Sequence, residues 1–243
     1  MSAGEQARRL IGLLDLTDLG DAARASDAIA LARRGRGRVA AVCVWPQFIG
    51  EVREAIGAAA TPVAAVINFP KGGDDAIRAV EDAQEALRDG ARELDLVMPW
   101  RAFLAGDERT ARDTIEAVRD HVPSDCRLKV ILETGALGAA ETIARAARLA
   151  IAAGADFIKT STGKTDVGAT PEAARVMLET IRASDRPVGF KASGGVRSFA
   201  DAARYLALAE EIMGEGWARR DTFRIGASAL FDELDALAGA ASP

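Results

Sequence analysis

Eight short apolar runs recur along the chain, and a helix-length segment separates each run from the next. The runs have the length of buried β-strands, while the segments between them are rich in Ala, Glu and Arg at helical spacing. In residues 139–154, for example, Ile143, Ala147 and Ala150 fall on one helical face. The eight runs are RLIGLLDL (9–16), RVAAVCV (38–44), PVAAVINF (62–69), RELDLVM (92–98), RLKVILET (127–134), ADFIKTS (155–161), RPVGFKA (186–192) and TFRIGA (222–227).

This alternation of strand and helix predicts the fold class. Parallel strands covered by helices form an α/β protein, and eight repeats favour closure into a (β/α)8 TIM barrel. A doubly wound sheet would require a Gly-rich turn after the first strand, and DLTDLGDAA (15–23) lacks one. The 243 residues contain no linker or break in composition. We therefore predict a single TIM-barrel domain that spans 1–243.

Several helix ends carry local signals. Thr170 precedes Pro171, which predicts a capping residue followed by proline at the first helical position. Ser198 and Asp201 have the spacing of a capping box.

Charge and cysteine content exclude several classes of function. The net charge of −5 argues against a general affinity for nucleic acid or for an anionic membrane. The two cysteines, Cys43 and Cys126, do not make a disulfide framework, so we expect a cytoplasmic protein. The first apolar run ends at Asp15, too early for a signal peptide, and no stretch approaches the roughly 18 apolar residues of a membrane span.

Four of the predicted strands contain a charged residue where a barrel strand should be apolar. These residues are Asp95, Lys129, Lys159 and Lys191. A parallel barrel strand is buried on both faces, so an internal charge is expected only where it has a function or a partner.

The glycines before two of these strands predict how the charges are arranged. Gly90 and Gly154 each precede a charged residue by five positions, and each is placed to end a helix. This spacing puts Asp95 and Lys159 at equivalent heights on the fourth and sixth strands. Alternate strands feed one interior layer of a barrel, so we expect these two side chains to face each other. Lys129 and Lys191, on the fifth and seventh strands, would occupy a neighbouring layer.

This cluster of charged residues has two interpretations. A structural salt-bridge cluster explains one buried Lys–Asp pair, but it explains an excess of lysines poorly. The alternative is chemical. A free lysine with a pKa of about 10.4 is almost fully protonated at neutral pH, whereas a second ammonium about 5 Å away and burial both lower that pKa. A neutral lysine beside a carboxylate is the arrangement of enzymes that form an imine with a carbonyl substrate.

Other catalytic groups are scarce. The single histidine, His121, precedes Pro123 in a predicted surface segment, so the sequence offers no set of histidines for a catalytic zinc. We therefore predict no catalytic metal. Cys43, in AVCVW, is interpreted as a small core residue that is also a possible neighbour of the lumen.

Small residues follow the seventh and eighth strands, in ASGGVRSF (192–199) and IGASALF (225–231). These are the two loops that form the usual phosphate site of a barrel, where backbone N–H groups and helix N-termini point at the anion. Gly194, Gly195, Gly226 and Ser228 would supply the donors, and Lys164 would add a positive charge. Tight turns alone would also explain these residues. The pairing of both loops favours an anionic, phosphorylated substrate.

The chain resembles the deoxyribose-phosphate aldolase family over nearly its whole length. Its members are Schiff-base aldolases that cleave 2-deoxyribose 5-phosphate to acetaldehyde and glyceraldehyde 3-phosphate. The segments that carry the resemblance include LLDLTDL (13–19), ELDLVMPWRAFLAGD (93–107), GADFIKTSTGKTDVGATPEAAR (154–175) and VGFKASGGVRSFADAARYL (188–206).

The resemblance implies roles for individual residues. Lys159 would form the imine, Lys191 would lower the pKa of Lys159, Asp95 would relay protons, and Lys129 would lie near Asp95. It also implies a barrel that is usually dimeric, takes part in deoxynucleoside breakdown and needs no cofactor. Positions that match substrate or phosphate contacts of the family are Asp15, Thr160, Thr162, Lys164, Gly194, Gly195 and Ser228.

The chain also departs from the family pattern. Asp18 and Gly20 replace an uncharged polar residue and an asparagine, and Ala229 stands where a second serine is frequent. The chain ends GAASP, without the terminal tyrosine of some members, and its one tyrosine is Tyr205. Two alternatives therefore stay open: an aldolase of the same fold that acts on another phosphorylated sugar, and a non-catalytic barrel that binds a phosphorylated ligand.

Overall fold

The structure is a computed structural model that describes residues 1–240, so the end of the GAASP segment lies outside the described residues. Within that range the strands form one closed parallel barrel in the order β1 to β8, which confirms the predicted TIM barrel. The strands are Leu14–Asp18 (β1), Ala41–Val44 (β2), Val63–Ile67 (β3), Glu93–Val97 (β4), Arg127–Ile131 (β5), Phe157–Lys159 (β6), Gly189–Ser193 (β7) and Phe223–Ala227 (β8).

Helices cover the outside of this barrel. Side chains that point outward from the strands, such as Leu94, Val130 and Phe190, are fully buried in the core between strands and helices. Within residues 1–240, no helix is both long enough and apolar enough to cross a membrane. The helices are Ala3–Gly12 (α1), Ala25–Gly35 (α2), Ile49–Ile56 (α3), Ala76–Asp89 (α4), Trp100–Leu104 (α5), Glu108–Arg119 (α6), Thr134–Leu137 (α7), Ala140–Ala152 (α8), Pro171–Arg182 (α9), Phe199–Met213 (α10) and Leu230–Ala240 (α11).

The first predicted strand was wrong over its first half. Residues 9–12 are the last turn of α1, and β1 begins only at Leu14. Ser2 starts this helix with a capping box, because its side chain accepts from the Glu5 N–H while Glu5 accepts from the Ser2 N–H. Leu10 and Ile11, which resemble strand residues in the sequence, instead belong to the buried face of this amphipathic helix.

The predicted helix signals are confirmed. The Thr170 hydroxyl accepts from the Ala173 N–H at 3.1 Å, with Pro171 in the first turn of α9. Ser198 and Asp201 form a capping box at the start of α10. Gly90 and Gly154 both adopt left-handed conformations, with φ of 104° and 103°, directly before the stretches that lead into β4 and β6.

The strand registers arrange the inward-pointing residues in layers. Asp95 pairs with Lys129, Lys129 pairs with Phe157, and Lys159 lies two residues beyond Phe157. In a tilted barrel, residues of alternate strands lie at the same height when they are two residues out of register. Asp95 and Lys159 therefore share a layer, as predicted. Repeating the step around the barrel gives each layer four residues from alternate strands.

Three such layers fill the lumen below the pocket. The upper layer contains Cys43, Asp95, Lys159 and Gly226; the middle layer contains Asp15, Ala64, Lys129 and Lys191; the lower layer contains Ala41, Glu93, Phe157 and Arg224. Lys129 and Lys191 therefore occupy the layer next to Asp95 and Lys159, which confirms the predicted arrangement.

The closeness of β6 and β7 gives a test of this packing. A Cβ atom at Gly189 would overlap the Phe157 ring, so Gly189→Ala should lower the free energy of unfolding by about 1–3 kcal/mol. Gly50→Ala is the matched control, because Gly50 is exposed on α3 with open space around its Cβ position. That control should raise the free energy of unfolding by about 0.5–1 kcal/mol. Urea unfolding of both variants measures the difference, and equal stabilities would contradict the packing described here.

Candidate active site

The Asp95 carboxylate lies at the centre of a buried charge cluster in the barrel lumen. Its Oδ1 accepts from the Lys129 ammonium at 2.8 Å. Its Oδ2 accepts from both Lys159, at 2.8 Å, and Lys191, at 2.6 Å. These four side chains come from the adjacent strands β4 to β7 and are all buried. The structure thus brings together the four charges that the sequence analysis singled out.

The ammonium nitrogens of Lys159 and Lys191 are close neighbours. Both bind the same carboxylate oxygen, at 2.8 Å and 2.6 Å, so they lie at most 5.4 Å apart. This agrees with the separation of about 5 Å on which the argument from charge repulsion depends. The two side chains therefore point into the same lumen.

Three further charged residues belong to the cluster, and the sequence analysis did not place them there. The Asp15 carboxylate accepts from Lys191 at 2.6 Å and also pairs with Arg224. Glu93 lies 2.7 Å from the Lys129 ammonium and accepts two hydrogen bonds from Arg224. The three lysines do surround the Asp95 carboxylate, as the sequence predicts, but the cluster is larger than the sequence analysis indicates. Four cations face three carboxylates.

A signal for these residues exists in the sequence. Glu93 precedes Asp95 by two positions, and side chains two apart on a strand point to the same face. Arg224 lies inside the run TFRIGA in the same way as the lysines lie inside theirs. Applying the two-residue period to every charged strand residue would have found both.

The cluster compensates its three lysines unequally. Lys129 contacts the carboxylates of Asp15, Glu93 and Asp95. Lys191 contacts those of Asp15 and Asp95. Among the residues that the structure describes, the one carboxylate in contact with Lys159 is Asp95, which Lys159 shares with the other two. Lys159 is thus the least compensated of three buried ammonium groups.

This inequality sets the direction of each lysine pKa. Burial lowers the pKa of Lys159, and the neighbouring Lys191 ammonium lowers it further; Asp95 opposes both without reversing them, so this pKa lies below its ordinary value. Burial also acts to lower the pKa of Lys191, but Asp15 and Asp95 outweigh it and hold that pKa above its ordinary value. The pKa of Lys129 is likewise raised, by Asp15, Asp95 and Glu93 against burial.

The carboxylates respond in the opposite sense. Burial alone would raise the pKa of Asp95, but Lys129, Lys159 and Lys191 outweigh burial and hold that pKa well below its usual range. Asp15 also has a lowered pKa, because Lys129, Lys191 and Arg224 together outweigh its burial. Both groups are therefore ionised at neutral pH. A carboxylate in contact with the Lys159 nitrogen can accept a proton from that nitrogen and return one to it.

Two small residues complete the upper layer around Lys159. Cys43 is fully buried and points into the lumen, and burial together with Asp95 raises the pKa of its thiol. Gly226 leaves room for a neighbour, since a Cβ atom there would lie 3.1 Å from Cε of Lys191. Gly226 is therefore needed for packing as well as being a candidate backbone donor.

A pocket of about 330 Å³ opens directly above Lys159. It is bounded by the ends of β1, β6, β7 and β8. Of the predicted binding residues, the pocket is lined by Thr162, Lys164, Gly194, Gly195, Gly226 and Ser228. Gly194 and Gly195 are both left-handed, with φ of 84° and 89°, a conformation that glycine adopts without strain. Asp18 and Gly20, which depart from the family pattern, line the same pocket.

Two predicted binding residues lie outside the pocket lining. Asp15 is fully buried in the middle layer, where its carboxylate is occupied by Lys129, Lys191 and Arg224. Thr160 is also fully buried, and its hydroxyl donates to the Ser193 carbonyl at 2.9 Å and accepts from the Ser193 N–H at 3.0 Å. In this structure Thr160 links β6 to β7, and Asp15 pairs with Lys191 within the middle layer.

The remaining candidates lie away from the pocket. His121 is exposed, and its Nδ1 lies 2.8 Å from the Ala117 carbonyl oxygen. Among residues 1–240, no group of three or more His, Cys, Asp or Glu side chains has the arrangement of a metal site. Tyr205 is buried on α10, and burial raises its pKa to about 12.

Comparison with known proteins matches the chain to a family. The family model described as DeoC/LacD family aldolase matches residues 10–230 of the chain. The chain belongs to the DeoC/LacD family of aldolases. It is therefore an enzyme that cleaves or forms a carbon–carbon bond, and the family assignment disfavours the non-catalytic alternative.

Individual relatives agree with this assignment. The chain is 47% identical over 240 residues to a deoxyribose-phosphate aldolase of Agrobacterium fabrum, covering 97% of this chain and 93% of the relative. A solved apo-form structure from Toxoplasma gondii ME49 has a TM-score of 0.91, with 26% identity and 99% coverage of both chains. A deoxyribose phosphate aldolase of Aeropyrum pernix, described as tetrameric, has a TM-score of 0.78, with 25% identity over 97% of this chain and 92% of that one.

The unequal compensation of the lysines predicts unequal effects on stability. Lys191→Met should lower the free energy of unfolding at pH 7 by about 3–5 kcal/mol, because it leaves Asp15 and Asp95 buried with fewer partners. Lys159→Met should change it by less than about 1 kcal/mol, because it removes a charge that the fold disfavours while Asp95 keeps two lysines.

Urea unfolding at pH 7 measures both variants. The contribution of Lys191 should be fully present below the ordinary lysine pKa and lost as the pH rises through its raised folded value. Equal losses for the two variants would show that the cluster does not distinguish its lysines.

Proposed function

We propose that this enzyme cleaves 2-deoxy-D-ribose 5-phosphate reversibly to acetaldehyde and D-glyceraldehyde 3-phosphate through an imine on Lys159. The observation that carries the proposal is the position of Lys159. It is the lysine of the cluster with a lowered pKa, it contacts a carboxylate, and it forms the floor of a pocket with glycine-rich loops at its rim. The activity of the Agrobacterium fabrum relative, as its name gives it, supports the same reaction.

The first half of the reaction makes the imine. The neutral Lys159 amine attacks the C1 aldehyde carbon of the open-chain sugar, and the resulting carbinolamine loses water to give a protonated imine. Asp95, 2.8 Å from the Lys159 nitrogen, takes up the proton released from nitrogen and returns one to the departing hydroxyl. Lys191 stays protonated on the same carboxylate, so positive charge remains beside the reacting nitrogen.

The second half breaks the C2–C3 bond of the sugar. Asp95, directly or through a water, accepts the proton of the C3 hydroxyl, the C2–C3 electron pair moves toward the protonated imine, and C3 becomes the aldehyde carbon of glyceraldehyde 3-phosphate. Asp95 then returns that proton to C2 of the enamine left on Lys159, and water hydrolyses the resulting imine to release acetaldehyde and the free amine. The positive charge on nitrogen accepts the electron pair, and the nearby Lys191 ammonium adds to the positive potential at that nitrogen.

The rim of the pocket would hold the phosphate. Gly194 and Gly195 follow β7, Ser228 follows β8, and both loops lead into helix N-termini, where backbone N–H groups and the helix dipole favour an anion. Lys164 adds a positive charge at the same rim. Ala229 offers no hydroxyl where a second serine is frequent in the family, so backbone donors would carry more of the binding.

The assembly and location of the enzyme are also part of the proposal. The family resemblance supports a homodimer, although the Aeropyrum pernix relative is described as a tetramer. The low cysteine content supports a cytoplasmic location. The proposed partners are the phosphorylated sugar and the two aldehydes.

Chemical trapping tests the assignment of Lys159. Borohydride added in the presence of acetaldehyde should reduce the imine and leave an ethyl group on the reactive lysine. The chain contains five lysines, so peptide mass mapping distinguishes them all. We expect the label on Lys159, and we expect Lys159→Met to abolish labelling, because Lys159 alone combines a lowered pKa with a place on the pocket floor.

Lys71→Ala is the matched control. Lys71 is exposed and lies outside the pocket lining, so its loss should leave labelling and the cleavage rate of 2-deoxyribose 5-phosphate unchanged. A label on Lys191 in the unaltered protein would reverse the roles of the two lysines. Labelling of Lys159 without release of glyceraldehyde 3-phosphate would favour another phosphorylated sugar as substrate.

A further inference from the structure

Glu133 is a buried carboxylate that the chemistry above does not use. It lies two residues beyond the end of β5, it is fully buried, and its backbone is left-handed, with φ of 59° and ψ of 58°. Within residues 1–240, only one other non-glycine residue, Asn68, has a positive φ. A left-handed backbone is strained for a residue other than glycine. Such residues persist where the surrounding structure holds them, often at functional sites.

Both carboxylate oxygens of Glu133 bind the segment after β6. We name residues 162–168 the β6 loop. Oε2 of Glu133 accepts from the Thr162 hydroxyl at 2.6 Å, and Oε1 accepts from the Thr162 N–H and from the Thr165 hydroxyl, each at 3.2 Å. Hydrogen bonds to an ionised acceptor are about twice as strong as those between neutral groups. Glu133 therefore fixes the first half of the β6 loop.

The contacts continue from Glu133 to the pocket rim. The Thr162 hydroxyl, which donates to Glu133, accepts from the Lys164 N–H at 3.0 Å. Gly163 is left-handed, and its Cα would lie 3.3 Å from a Cβ atom at Gly194. One chain of contacts thus runs from Glu133 through Thr162 to the backbone of Lys164. That backbone lies beside Gly194 in residues 194–198, which we name the β7 loop.

The second half of the β6 loop rests on the residues next to Glu133. A Cβ atom at Gly135, in α7, would overlap the Val167 carbonyl oxygen, and one at Gly168 would overlap the Gly194 carbonyl oxygen. The Ala169 N–H donates to that same Gly194 oxygen at 2.8 Å. The β6 loop is therefore held between the start of α7 on one side and the β7 loop on the other.

We propose that Glu133 is a positioning residue for recognition of the substrate phosphate. By holding Thr162, it sets the backbone of Gly163 and Lys164 at the height of Gly194 and Gly195, so that one anion meets donors from both loops. The inference rests on the proposed function, because it assigns the β6 loop to the phosphate end of the substrate. It gives Glu133 no part in imine formation, which belongs to the lumen cluster.

Glu133→Gln tests this assignment, because it keeps the size of the side chain but replaces one acceptor oxygen by an NH2 group that cannot accept. We expect KM for 2-deoxyribose 5-phosphate to rise about 10-fold while kcat changes less than about 2-fold. Cleavage of unphosphorylated 2-deoxyribose, as kcat/KM, and borohydride trapping with acetaldehyde should not change. A general loss of structure would lower all of these together.

Thr165→Val provides a second route if Glu133→Gln does not fold. It removes one donor to Glu133 from the loop side, so it should raise the same KM by a smaller factor. The double variant should raise KM no more than Glu133→Gln alone, because both changes break one set of contacts. Glu141→Gln is the matched control, an exposed glutamate on α8 that pairs with Arg148, and it should leave every constant unchanged.

Direct binding of inorganic phosphate separates this inference from the proposed function. Calorimetric titration should show weaker phosphate binding to Glu133→Gln than to the unaltered protein, whether or not 2-deoxyribose 5-phosphate is cleaved. Absence of cleavage with intact Glu133-dependent phosphate binding would overturn the proposed reaction alone. Equal losses of kcat/KM for the phosphorylated and unphosphorylated sugars, or unchanged phosphate binding, would overturn the role of Glu133.

Discussion

The Asp95 carboxylate, shared by three lysines in the barrel lumen, is the interaction on which the site depends. A buried ion is unfavourable unless it is paired, and Asp95 has a hydrogen bond to each of its lysine neighbours. Asp15 and Glu93 then add partners to Lys191 and Lys129 but not to Lys159. The three lysines therefore contact unequal numbers of carboxylates. Lys129 and Lys191 each contact more than one carboxylate and stay protonated. Lys159, the lysine of the cluster that lines the pocket, contacts Asp95 alone.

The barrel makes this inequality possible because it stacks side chains in layers. Asp15, Lys129 and Lys191 lie one layer below Lys159, and Glu93 and Arg224 lie one layer further down. The lysines in the deeper layer therefore have more carboxylate neighbours, and Lys159, in the upper layer, has the fewest. The same strands end in the loops that bound the pocket. The barrel therefore fixes the position of the reactive amine relative to the proposed phosphate donors. Glu133, just after β5, binds Thr162 and so connects the barrel to the β6 loop.

Much of this arrangement can be predicted from the sequence. Eight apolar runs separated by helical segments predict the barrel, and the distance from a helix-ending glycine to a charged strand residue predicts that Asp95 and Lys159 share a layer. These predictions succeed because they depend on local periodicity and on a register that the fold repeats. The start of β1 could not be predicted so well, because Leu10 and Ile11 suit a strand and a helix equally, and the Ser2 cap decides between them.

The balance of charge was harder to predict than the position of each charge. Asp15 and Arg224 are far apart in the chain and meet only when β1 and β8 close the barrel. Glu133 gives no periodic signal at all, since its role depends on a left-handed backbone and on the path of a loop about 30 residues later. Residues that act through such distant contacts are found from tertiary structure. The identity of the sugar rests on the family and on the pocket together.

The central claim is that Lys159 alone among the buried lysines has a lowered pKa because it is the least compensated. Nuclear magnetic resonance of protein labelled with ¹³C at the lysine Cε tests it directly, since five lysines give few signals and Lys159→Met assigns the relevant one. We predict that Lys159 titrates below the ordinary lysine value of about 10.4, that Lys191 and Lys129 stay protonated through that range, and that Lys191→Met moves the Lys159 titration upward. A Lys159 signal that titrates at or above the ordinary value in the unaltered protein would contradict the account.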